Sequence, residues 1–151
     1  MLDEVTRVLT SEGRFVALVD GPMNAVPSYK EVHDLIYSYV QEEIPRYGEI
    51  DLGDSRIRGS ESLSNLINKT FPKANVTIET NVVSIKGPVI QVAEIAAGFF
   101  YAAFVLKPDK RKSMITSLSK ILAISKESTD AEKQGKFSMP INRLIVEPYI
   151  T

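Results

Sequence analysis

The chain is expected to fold as an α+β domain with a small, mostly antiparallel sheet packed against helices. Three observations predict it. Segments of helical and strand period follow one another as helix, strand, helix, weak strand, helix, strand pair, helix, helix, strand. Residues 88–106, PVIQVAEIAAGFFYAAFVL, are apolar on every side except a stripe of Gln91, Glu94 and Tyr101, so they predict a central helix that other elements enclose. The last apolar run, Leu144 to Val146, is followed by Pro148, which predicts an edge strand after a C-terminal helical hairpin. With 151 residues, the prior favours a single domain over 1–151.

Each element has a local cause. Leu2, Val5, Val8 and Leu9 keep helical spacing, and Gly13 follows where a helix ends. Phe15 to Val19 reads as a buried strand closed by Asp20-Gly21-Pro22. Ser28 and Glu31 have capping-box spacing ahead of Val32, Leu35, Ile36, Tyr39, Val40 and Ile44, one apolar helical face that ends at Pro45. Residues 48–58 alternate weakly and suggest an edge strand or ordered loop. Gly59-Ser60 opens a short helix through Leu63, Leu66 and Ile67, closed at Phe71-Pro72.

Residues 75–86 are rich in β-branched side chains, but the alternation of Val76 and Ile78 resumes out of phase at Val83 and Ile85, which predicts a bulge or tight hairpin near Thr80-Asn81. Pro88 suits the first position of the apolar helix. Asp109 is placed to cap a second helix carrying Met114, Ile115, Leu118, Ile121 and Leu122. Residues 125–138 are polar and without apolar period, so a mobile surface loop is expected there.

Composition narrows the chemistry. The chain has no Cys, which excludes a disulfide framework, a thiolate zinc site and a cysteine nucleophile. Its one His, His33, excludes a polyhistidine metal site within one chain. There is no G-x-S-x-G and no glycine-rich phosphate loop. Residues 1–75 carry 8 basic and 12 acidic side chains, and residues 76–151 carry 10 and 7, so the halves have opposite sign. If they formed opposite faces, copies would attract head to tail. The start MLDEVTRVLTSEGR lacks the pattern of a signal peptide, which leads to the expectation of an intracellular protein, or a virion component if viral.

The catalytic candidates are Glu94, a carboxylate in an apolar helix, and Asp20, at the end of a strand. For Glu94 the alternative is a solvated stripe with Gln91 and Tyr101, or an ion pair with an arginine. The stretch FVALVDGPMN, about ten residues, resembles the first strand and following turn of the NYN nuclease family, in which an Asp-Gly pair precedes an Asn near the metal. Here Pro22 and Met23 intervene before Asn24, and Asp51 and Asp54 would have to complete a metal site with Asp20. His33, beside Glu31 and Asp34, is read as a helix-flank residue. Lys107, Lys110, Arg111 and Lys112 form a basic turn suited to phosphates, but no aromatic side chains interleave with them. The apolar helix approaches the minimum membrane span, yet Glu94 and Gln91 oppose insertion, and no span is expected.

A non-enzymatic structural or assembly protein is therefore expected, one that self-associates or docks to a larger particle, with a phage or viral virion as one setting. No cofactor is called for. Lys110, Arg111, Lys112, Leu144 and Val146 are the expected interaction residues, the last two as an exposed strand that extends a neighbour's sheet. The alternatives are a small carboxylate-metal nuclease-like enzyme and a non-catalytic nucleic-acid-binding protein.

Overall fold

Five helices and three strands make up the described part of the computed structural model, which covers residues 2–47, 55–57, 59–100, 104–124 and 133–148. The helices are Leu2–Val8 (α1), Pro27–Glu43 (α2), Ser60–Thr70 (α3), Val89–Phe99 (α4) and Pro108–Leu122 (α5); the strands are Phe15–Asp20 (β1), Ala74–Pro88 (β2) and Gln134–Pro148 (β3). This is the expected α+β fold, with one antiparallel sheet ordered β1-β3-β2.

The helices form where apolar spacing asked for them. Tyr29, Val32, Ile36 and Val40 are the buried stripe of α2, Leu63 and Ile67 that of α3, and Met114, Leu118 and Leu122 that of α5. Their starts differ from expectation. Neither Ser28 nor Asp109 caps a helix; Val26 and Lys107 hold the N-cap positions in extended backbone, with Pro27 and Pro108 opening the helices behind them. Proline has no N–H to leave unpaired and its φ is already helical, so it starts a helix without a side-chain cap.

The apolar helix is shorter and less enclosed than expected. It ends at Phe99, because Gly98 is the weakest helix former in the run and Phe100, in extended backbone, turns its ring toward Tyr29 at 5.5 Å and His33 at 5.7 Å. Val89, Val92, Ala93, Ala96 and Ala97 are buried, whereas Ile90, Gln91, Glu94, Ile95 and Phe99 are exposed. Among the described residues no helix is long and apolar enough to cross a membrane.

The larger correction concerns the sheet. β3 is the middle strand, not an edge. Its Pro140 is tolerated there because β1 stops opposite Ile141, so the missing proline N–H falls just past the end of β1, facing Gly21. β2 is one strand with no hairpin. In the first unit Thr80 Oγ1 donates to Asn142 Oδ1, and in the second Ser84 and Ser138 share a hydrogen bond, both 2.8 Å, and the Val89 N–H donates to the Lys133 carbonyl. The phase slip in the sequence has another cause: Val76 and Ile78 pack on a core, while Val82, Val83 and Ile85 are exposed. The expected loop at 125–138 is strand from Gln134 onward; residues 125–132 lie outside the described residues.

The chain divides into two compact units, each built from separated segments: residues 1–25, 52–82 and 140–151, and residues 26–51 and 83–139. Each unit draws on both halves of the sequence, so the opposite charges of the halves do not become separate bodies. In the first unit Leu63, Ile67, Phe71, Leu144 and Val146 form the buried centre, with Phe15, Ala17, Val19, Val76 and Ile78 packed against it. In the second, α5 packs on both α2 and α4, and the aromatic side chains of Tyr29, Phe99, Phe100 and Phe137 meet with ring centroids 5.2 to 6.4 Å apart.

Candidate functional site

The free rim of the sheet at β1 is the candidate site, and it lies wholly within the first unit. Residues of β1 alternate strictly: Phe15, Ala17 and Val19 face the core, and Val16, Leu18 and Asp20 face outward. The expected fully buried strand is therefore half open, since an antiparallel sheet needs only one covered face. Leu18 is 68% exposed and Val16 51%, so two aliphatic side chains stand side by side on the open face of β1.

Across the outward face Val16 lies opposite Ile145, Leu18 opposite Arg143, and Asp20 opposite Ile141. Arg143 is ion-paired to Glu79 of β2 at 2.5 Å. Arg14, just before the strand, donates from Nε to Glu147 at 2.8 Å and is ion-paired to the same carboxylate through a terminal nitrogen at 2.5 Å. Asp20 is exposed and has no ion-pair partner among the described residues.

The backbone of β1 is equally one-sided. Gly21 N–H donates to the Pro140 carbonyl at 3.1 Å, one step beyond the Asp20–Ile141 pair. In an antiparallel ladder directly bonded pairs alternate with unbonded ones. Phe15, Ala17 and Val19 thus turn their N–H and C=O groups to β3, and Val16, Leu18 and Asp20 turn theirs to the open edge.

The residues expected to carry function are dispersed. Leu144 (2% exposed) and Val146 (0%) are core side chains of the middle strand, which corrects their assignment to an exposed contact. Among the basic residues, Lys110 is held by Glu42 at 2.9 Å and Glu43 at 3.2 Å, Lys107 reaches Glu43 at 3.8 Å, and the Arg111 guanidinium sits over the Phe104 ring at 5.2 Å; Lys112 is exposed. The lysines draw Glu43 below the ordinary carboxylate range, Lys110 foremost.

Glu94 lies exposed on α4 beside Gln91, the solvated-stripe arrangement rather than a buried acid. Asp51 and Asp54 are outside the described residues, and among the described residues no three His, Cys, Asp or Glu side chains gather as metal ligands. His33 stacks on Tyr37 at 4.0 Å and bonds Asp34 at 3.1 Å, and Asp34 is drawn below its ordinary range first by Lys30 and then by His33.

Sequence reasoning missed Arg14, Val16 and Leu18. The available signal was the order of RFVALVD, an apolar run bracketed by opposite charges, which reads almost the same in chemical character from either end. Compared with known proteins, the chain matches no family model and no curated protein.

Proposed function

We propose that the protein is a non-enzymatic structural subunit that works by self-association or by docking into a larger assembly. One observation carries this reading: among the described residues β1 is a sheet edge whose outward backbone donors and acceptors meet no other strand, with Val16 and Leu18 exposed on its outward face. Such an edge is a template for another strand. The strand has no proline and no mid-strand charge, two of the devices that keep solitary edges from pairing. The catalytic alternative has less support, since Asp20 and Glu94 are exposed carboxylates that no cluster of metal-ligating side chains joins among the described residues.

The test is the mass of the purified chain across a wide range of concentration. Multiples of 16.8 kDa that give way to monomer in Leu18→Lys are the expected result. A monomer at every concentration, in parent and variant alike, defeats the reading.

A further inference from the structure

We infer that the partner at this edge is a second copy of the chain, joined strand to strand through β1 in antiparallel, two-fold symmetric register centred on Ala17. The inference rests on the self-association reading above and specifies its geometry. Two-fold symmetry requires the central residue to face its own counterpart, so choosing the centre fixes every other pair. Centring on Ala17 places Arg14 of one copy opposite Asp20 of the other, Val16 opposite Leu18, and Phe15 opposite Val19. Basic meets acidic twice and apolar meets apolar throughout. The outward backbone groups of Val16 and Leu18 are then those that form the new ladder bonds.

Neighbouring registers fail on the same residues. A centre at Val16 sets Arg14 against Leu18 and Glu12 against Asp20, two acids face to face; a centre at Leu18 sets Val16 against Asp20 and brings Arg14 to Pro22. Parallel pairing forfeits the charge match, because it sets like ends side by side. The charges are also available. Asp20 has no ion-pair partner among the described residues, and Glu147 takes Nε and one terminal nitrogen of Arg14, leaving the donors of the other terminal nitrogen for the second copy. The two sheets would thereby become one continuous sheet, with Val16 and Leu18 of both copies forming a small apolar strip on its outer face.

The absence of cysteine makes the register directly readable. Ala17 would face its counterpart at a pair without ladder bonds between them, where side chains come closest. Ala17→Cys is therefore expected to form a disulfide-linked dimer under mild oxidation, while Leu18→Cys, whose counterpart lies diagonally across, links poorly. Asp20→Arg should raise the dimer dissociation constant about tenfold or more, because each substitution acts at two symmetric places, and adding Arg14→Glu should restore association.

Asp20 is at the surface, so its variant reports on association even if Cys at position 17 perturbs the fold. A dimeric parent in which Ala17→Cys fails to link and Asp20→Arg changes nothing overturns this register while leaving self-association standing. A parent that is monomeric throughout overturns both.

Discussion

Gly21 sets where β1 ends, for a reason of space rather than of backbone freedom. A Cβ at this position would lie 2.7 Å from the Cβ of Pro140 and 2.9 Å from its carbonyl carbon, and neither can swing away, one being fixed in a ring and the other in the central strand. Gly21→Ala is expected to destabilise the protein by about 1–3 kcal/mol, as other overpacking substitutions do, and a denaturant melt measures it. A parent-like midpoint would show that β3 yields there. Asn142 is fully buried. Its side-chain oxygen accepts from the Thr80 hydroxyl, so Thr80→Val removes a donor from a fully buried polar group and should cost about 1–3 kcal/mol. An unchanged midpoint in the same melt would mean that the hydroxyl contributes nothing to that satisfaction. The close approach of two strands thus accounts for the glycine of the Asp20-Gly21 pair.

Between elements, α2 and α5 are tied at their ends by Glu42 and Glu43 against Lys107 and Lys110. Glu43 is lowered by Lys110 and then Lys107; Lys110 is raised by Glu42 and then Glu43. A lowered carboxylate lends stability above its unfolded value and loses it as pH falls through the folded one. A raised lysine lends it below its unfolded value and loses it as pH climbs through the folded one. The tie is therefore complete across neutral pH and weakens in acid. In Lys110→Ala the thermal midpoint should fall less steeply than in the parent as pH drops through the carboxylate range, and added salt should narrow the difference, since these side chains remain in contact with solvent. Parallel pH profiles would show the tie to be energetically idle. Helices of this kind were legible because their spacing is local: Val32, Ile36 and Val40, or Met114, Leu118 and Leu122, declare a buried stripe whatever lies beside it. The end of α4 was not, because aromatic contacts from Tyr29 and His33, distant in the chain, draw Phe100 out of the helix.

For the whole molecule, the decisive fact is strand order, which no local pattern encodes. Leu144, Ile145 and Val146 followed by Pro148 look the same in sequence whether the strand is at the rim or in the middle; only pairing with β1 on one side and β2 on the other makes β3 central. The candidate site moved with it, from the C-terminal strand to Arg14–Asp20. Removing residues 140–151 consequently tests folding rather than assembly. That deletion takes away Leu144 and Val146, two of the five buried side chains at the centre of the first unit, together with Ile141–Val146, the residues that pair with β1. Losing one such aliphatic side chain alone costs about 2–5 kcal/mol, against a total stability of about 5–15 kcal/mol for an ordinary domain. The truncated chain should show loss of cooperative melting and rapid proteolysis at Leu63, Ile67 and Phe71, the residues left uncovered. If it instead melts cooperatively near the parent's midpoint and merely loses mass in solution, β3 contributes contacts between chains and the central-strand topology is wrong.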